Sequence, residues 1–264
     1  MKTNSYIASF LSAFIDFLYP PFCFICKKDT FGEENKFVCK SCLDQIEEIE
    51  PPFCTKCGKS FPSKEAFLNI EKPVCGRCEK KSENIYYSRT IGLGKYDSVL
   101  KELIHLYKYN KKKELEKVLT ALLMRKIKAD SKTLQADLIV PVPLHWIKKR
   151  KRGFNQSEEL GRYISKKLKI PMANYLKRRK NTKPQIGLSG EERRRNVKNA
   201  FGVRWLSRRL GIFYNYSFYS IKDKSIVLID DVVTTGATVN ECSKVLKRAG
   251  AKEVKVICLA IAGE

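Results

Sequence analysis

The chain has 264 residues, 52 Lys+Arg against 28 Asp+Glu, a formal net charge of +24 and ten cysteines. A hydrophobic fraction of 43% excludes a disordered basic tail, and the length suits one or two domains with a real core. No apolar run approaches the ~18 residues needed to span a membrane.

Charge and cysteine are distributed oppositely. Residues 1–84 hold 12 basic and 12 acidic residues, so the whole excess lies in 85–264, and 148–209 alone carries 21 Lys+Arg against four Glu. Eight of the ten cysteines fall between Cys23 and Cys78. Both statistics change near residue 84, which predicts two domains, 1–84 and 85–264.

In chain order, Met1–Tyr19 carries Phe10, Leu11, Phe14, Ile15, Phe17 and Leu18, interrupted by Asp16. No small-residue cleavage site precedes Pro20-Pro21-Phe22-Cys23, so the segment reads as an amphipathic helix and not a signal peptide. A cytoplasmic location follows, where thiols stay reduced. Four Cys-x-x-Cys pairs come next: Cys23/Cys26, Cys39/Cys42, Cys54/Cys57 and Cys75/Cys78, separated by 12, 11 and 17 residues. A two-residue spacing lets both thiolates of a pair reach one ion at about 2.3 Å, so four pairs predict two structural zinc sites. A disulfide framework would need an oxidising compartment. Sequential pairing is favoured over a cross-brace because it closes only short loops. Eight thiolates with two Zn²⁺ would sum to about −4, and each zinc would supply on the order of 10 kcal/mol of folding free energy.

Beyond residue 84, apolar runs alternate with helical patterns. Ile85–Leu93 reads as a strand, and Val99, Leu100, Leu103, Ile104 and Tyr107 form one helix face. Ala136–Val142 is a buried-type run ending in prolines, and 156–168 and 191–198 are helical. Ser225–Ile229 is a strand, Ala237–Ala249 a helix and Glu253–Ile261 another strand. This alternation predicts an α/β domain, a parallel sheet with helices on both faces.

The block Ile226-Val227-Leu228-Ile229-Asp230-Asp231-Val232-Val233-Thr234-Thr235-Gly236-Ala237-Thr238 carries the most chemistry. A central strand ends in two carboxylates, and a Thr/Gly loop then opens a helix. Ligands of open α/β sheets bind at the carboxyl ends of strands. Loop N–H groups and a helix N-terminus, worth roughly +0.5 charge, make an anion site. Gly236 permits close approach, and Thr234, Thr235 and Thr238 add hydroxyls. Asp230 and Asp231 would repel that anion and suit sugar hydroxyls instead. A monophosphate and a sugar diol together point to a ribose 5-phosphate. The block is not a Walker loop, since no Gly-Lys-Ser/Thr follows.

Two further constellations precede it. Val140-Pro141-Val142-Pro143-Leu144 is followed by Arg150-Lys151-Arg152-Gly153-Phe154-Asn155-Gln156. Arg178, Thr182, Gln185, Leu188, Arg193, Asn196 and Phe201 then follow in order. His145 reads as a packing or surface residue, with lining the site the minority reading. Cys242 and Cys258 read as core.

Together, and in this order, these features resemble the ComF (ComFC) family over nearly the whole chain. The resembling parts are the Cys pairs, the Lys108-containing helix, Val-Pro-Val-Pro-Leu, Arg-Gly-Phe-Asn-Gln, the Thr-Gln-Leu-Arg-Asn segment and the 226–238 block. That block is similar to the 5-phosphoribosyl 1-pyrophosphate (PRPP) signature of type I phosphoribosyltransferases, in particular the amidophosphoribosyltransferases. The resemblance implies a type I phosphoribosyltransferase fold behind a double zinc ribbon. It implies PRPP binding with Mg²⁺ by Asp230, Asp231, Val233, Thr234, Thr235, Gly236, Ala237, Thr238, Leu144, Arg152 and Arg178. It places Asp230, Asp231 and Arg193 in the chemistry, with 178–201 as a hood over an oxocarbenium-like transition state. Arg193 is preferred to Arg194 and Arg195 by family matching alone. The family is associated with natural competence, single-stranded DNA and a helicase-like partner. Alternatives are a salvage enzyme, or a non-catalytic PRPP-sensing DNA adaptor. The departure is 204–222, an aromatic and basic stretch with Trp205, Arg208, Arg209, Phe213, Tyr214, Tyr216, Phe218 and Tyr219.

Overall fold

A computed structural model describes residues 20–61, 63, 70, 72–80, 84–110, 112–130, 135–182, 187–204 and 220–263. The helix expected in Met1–Tyr19, Gln185 and the aromatic residues of the 204–222 stretch lie outside them. Two single turns, α1 (Lys40–Leu43) and α2 (Gly76–Glu79), lie among the cysteines. They are followed by β1 (Arg89–Lys95), α3 (Ser98–Tyr109), α4 (Leu115–Ala129), β2 (Leu138–Pro141), α5 (Trp146–Arg152) and α6 (Gln156–Leu168). Then come β3 (Leu176–Arg178), α7 (Gly190–Val197), β4 (Phe201–Val203), β5 (Ser225–Val233), α8 (Ala237–Arg248) and β6 (Glu253–Ile261).

Four strands pair in parallel in the order β1-β6-β5-β2, the α/β sheet the periodicity predicts. Residues 171–173 extend it beyond β2, where Ile139 N donates to Pro171 O and Ala173 N to Ile139 O. On one face Leu103, Leu119 and Leu160 of α3, α4 and α6 pack against Ile229, Ile257 and Leu259. On the other, Val239, Cys242 and Leu246 of α8 cover Leu228, Val256 and Cys258. Burial on both faces is why these strands read as continuous apolar runs. Cys242 and Cys258 are fully buried, as core cysteines should be. The β3–β4 ribbon, antiparallel, packs Leu176 and Phe201 into the α8 side.

The five apolar positions expected on one helix face are the five buried residues of α3. Two strands differ from expectation, β1 at both ends and β5 at its C-terminal end. β1 begins at Arg89 because the preceding segment is held elsewhere: Tyr86 N donates to Asn240 Oδ1 of α8. β5 continues past Ile229 to Val233 because its neighbour β6 runs on beside it, Val233 opposite Ile261. The two aspartates are therefore part of the strand. Helix α4, for which no separate element was expected, buries Leu115, Leu119, Leu123 and Ile127.

The cysteine-rich segment straddles edge strand β1. Residues 47–49 pair antiparallel with it, Ile49 N donating to Leu93 O and Lys95 N to Glu47 O. Cys23, Phe24, Val38, Cys39 and Cys42 join the core under α3 and α4. Cys54, Cys57, Phe61 and Cys78 form a separate small core, tied through Ile85 to the α8 side. Hydrophobic packing thus runs across residue 84, and residues 47–49 cover the Leu93–Lys95 end of the β1 edge.

Candidate functional site

The eight paired cysteines gather into two groups of four: Cys23, Cys26, Cys39 and Cys42, and Cys54, Cys57, Cys75 and Cys78. Pairing is sequential, as loop length favoured. Within each group the ligand atoms lie within 4.8 Å of one another. Cys26 and Cys39 sulfurs are 3.6 Å apart, and Cys57 and Cys75 sulfurs 3.7 Å. A tetrahedron with Zn–S of about 2.3 Å has an edge of about 3.8 Å, so both groups fit zinc. Backbone N–H groups of Cys57 and Cys75 point at Cys54 Sγ, at 3.5 and 3.3 Å, as suits a thiolate ligand.

The second site lies where β5 and β2 end together. Val142 N donates to Ile229 O, so the loops after Val142 and Val233 leave the same edge of the sheet. Asp230 is buried, and its Oδ1 accepts from Ser157 Oγ of α6 at 3.2 Å and from Asp231 N at 2.9 Å. Burial pushes its carboxyl up to about 7; the Asp231 charge adds to this and Lys108 opposes it. Asp231 pairs with Lys108 Nζ at 2.8 Å. Val233 is buried and closes the strand. Thr234, half-buried, opens a loop in which Thr235 Oγ1 accepts from Ala237 N at 3.4 Å. Gly236 has φ +75°, a left-handed conformation that favours glycine, and caps α8. Ala237 and Thr238 form its half-buried first turn, which holds no acidic residue.

Three cations gather from the other predicted segments. Leu144 is half-buried directly after β2, and His145 caps α5, its Nδ1 accepting from Ile147 N at 3.4 Å. His145 is buried as well as capping the helix. Arg152 lies over the Tyr109 ring, 4.7 Å from its centroid, and donates to Tyr109 Oη at 2.9 Å. Arg178, on β3, bonds Thr182 Oγ1 and lies over Phe201. Lys148 donates to Thr182 O at 3.0 Å. Burial pulls the Lys148 ammonium below the usual lysine range, and the charges of Arg178 and Arg152 pull it further. Arg193 lies half-buried on α7, whose start is fixed by a Ser189–Glu192 capping box. α7 packs against α8.

One sheet edge therefore presents a buried carboxylate pair, a glycine-capped helix start and a cluster of Lys148, Arg152 and Arg178. Carboxylates suit hydroxyls; the loop and cations suit anionic oxygens. Sequence reasoning missed the roles of Lys108 and Tyr109, since α3 precedes the block by over a hundred residues. A cation and a tyrosine at the end of an otherwise apolar face were the available signal. It also missed Ser157 beside Asp230.

Comparison with known proteins defines the class. The double zinc ribbon domain matches residues 14–79, and the phosphoribosyl transferase domain matches residues 135–264. The chain is 33% identical to Competence protein F of Haemophilus influenzae, over 90% of this chain and 96% of that protein. It is 32% identical to DNA utilization protein YhgH of Escherichia coli K12, over 91% and 96%. It is 28% identical to Competence protein ComFC of Streptococcus pneumoniae, over 86% and 88%. A double zinc ribbon joined to a phosphoribosyltransferase-type α/β domain is the class that fold and site define. Within that class, the chain belongs to the ComF family. Among the described residues, no helix is long and apolar enough to cross a membrane.

Proposed function

We propose that this chain is a PRPP-binding, phosphoribosyltransferase-like protein acting in the cytoplasm in DNA uptake. The observation that carries the reading is the convergence of the Asp230–Asp231 pair, the Thr234–Gly236 loop and the Lys148/Arg152/Arg178 cluster on one sheet edge. The ribose diol would face Asp230 and Asp231. The 5′-phosphate would lie against the N–H groups from Thr234 to Thr238, with Val233 and Ala237 as backbone walls. The pyrophosphate would meet Leu144, Arg152 and Arg178, with Arg193 brought from α7. PRPP would enter as its Mg²⁺ complex, the cation shared among its own oxygens.

In transfer, the bond from the anomeric carbon to the pyrophosphate oxygen breaks as the acceptor's bond forms. The carboxylates favour the cationic ring, and the arginines take up charge on the leaving pyrophosphate. The test is calorimetry with PRPP and Mg²⁺, followed by a screen for pyrophosphate release across acceptors, single-stranded DNA included. No heat at about millimolar PRPP, where even weak sites register, would refute the site reading.

A DNA contact, direct or through a helicase-like partner, is favoured by one surface observation. Trp146 is 65% exposed at the start of α5, and after Ile147 come five consecutive Lys and Arg residues. An exposed indole beside cations suits base stacking with phosphate contacts. Single-strand affinity should then fall by roughly 0.7 log units per phosphate contact for each log unit of salt. A flat salt response would remove this part.

A further inference from the structure

The phosphate loop has a charge problem. Residues 232–240 contain no Lys or Arg, while Asp230 and Asp231 stand immediately before them. A phosphate dianion there would have only N–H groups, hydroxyls and the helix dipole. Among the described residues, a cation from the other module stands at Gly236. A methyl group built on Gly236 would lie 2.8 Å from Tyr87 Oη and 3.8 Å from Arg77 Nη2. Arg77 sits in α2, between zinc ligands Cys75 and Cys78, and is the sole arginine among residues 1–84. Its Nη1 is shielded from solvent.

The placement is built from several sides. Cys75 N donates to Cys54 Sγ at 3.3 Å, which fixes the turn that carries Arg77 to the second zinc group. Asn240, in the first turn of α8, binds the chain that follows the ribbon: its Oδ1 accepts from Tyr86 N at 2.8 Å and its Nδ2 donates to Asn84 O at 2.9 Å. Tyr87 is buried between the ribbon and the loop. The Tyr87 phenol and the Arg77 guanidinium thus meet at the same side of Gly236.

We propose that Arg77 is a positioning residue of the phosphate site, its guanidinium favouring a phosphomonoester at the Thr234–Thr238 loop, so that this half of the site depends on the second zinc centre. The inference rests on the PRPP reading and adds to it a specific contribution from the ribbon. Its test uses the full zinc-replete chain, with ribose 5-phosphate and inorganic pyrophosphate as separate calorimetric probes. Arg77→Ala should weaken ribose 5-phosphate about tenfold, the scale of one charge-assisted contact, and leave pyrophosphate within about twofold. Arg77→Lys should recover part of the loss. Zinc should remain at two per chain by metal analysis. If Arg77→Ala loses zinc, Arg77→Gln, which keeps length and polarity without charge, carries the same expectation. Wild-type ribose 5-phosphate affinity in a zinc-replete charge-free variant overturns the inference and leaves the PRPP reading standing, as does equal weakening of both probes. A wild-type chain that binds neither PRPP nor ribose 5-phosphate overturns both.

Discussion

Replacing Lys108 by methionine removes the cation that pairs with Asp231 of β5 while keeping most of the side-chain volume. The Lys108 and Asp231 side chains are 13% and 15% exposed and 2.8 Å apart. At that distance and an effective dielectric constant of about 20, the attraction is about 6 kcal/mol. Part of this offsets desolvation, and loss of one partner from such a pair costs about 3–5 kcal/mol. The cost should depend on pH. Burial pushes the Asp230 carboxyl up to about 7 from its ordinary 3.8, and Lys108 is the largest of the influences that hold it down, ahead of the hydrogen bonds from Asp231 N and Ser157. A folded pKa above the unfolded one means the folded state keeps its proton more tightly. That contribution to stability is fully present below the unfolded pKa and is lost as pH rises through about 7. Without Lys108 the pair is more repulsive, so protonation relieves more. Urea unfolding of Lys108→Met should therefore show a loss of about 3 kcal/mol near pH 8 and clearly less near pH 5. Mg²⁺-free protein keeps the comparison to the side chains themselves. An equal loss at both pH values would refute the electrostatic account and leave only lost packing.

Other consequences are simpler to measure. Asp231→Asn should weaken PRPP by at least about tenfold, one charge-assisted contact, and wild-type affinity in that variant would remove the diol assignment. Gly236→Ala places a methyl 2.8 Å from Tyr87 Oη at φ +75°. It should lower stability by about 1–2 kcal/mol, checked by denaturant midpoint, and a neutral result would mean the loop relaxes freely. The two zinc centres should differ in reach. Cys39→Ala opens a group whose members share the core under α3, so hydrogen exchange should accelerate through β1 and α3. Cys57→Ala opens the small core tied through Ile85 to the α8 side, and exchange should rise in the second ribbon and the start of α8.

Much of this protein is local, and local features are legible in a linear chain. The Cys-x-x-Cys spacing identifies metal ligands because two residues of backbone set the reach of two sulfurs to one ion. Short loops then made sequential pairing the cheaper closure. Helix α6 runs from Gln156 to Leu168 and strand β6 from Glu253 to Ile261, the bounds their patterns predict, because 3.6-residue and unbroken apolar periodicities reflect the faces each buries. The Asp-Asp-to-Thr-Gly block announced its site because strand end, turn and helix start are consecutive in the chain.

What the chain order hides is decided by the sheet. Parallel pairing of β2 with β5 brings Leu144 and Arg152 to the same edge as Gly236. Packing of α3 over that face delivers Lys108 to Asp231, across more than a hundred residues. Burial there, and not composition, pushes the Asp230 carboxyl up and the Lys148 ammonium down. The +24 charge shows the difference. Sequence located the excess within 148–209. Only the tertiary structure separates Lys148, Arg152 and Arg178, drawn into one site, from the exposed cations of α5. It also brings the one arginine of a charge-neutral ribbon to Gly236, because a turn of four residues held between two cysteine ligands can present a side chain to a surface far away in sequence.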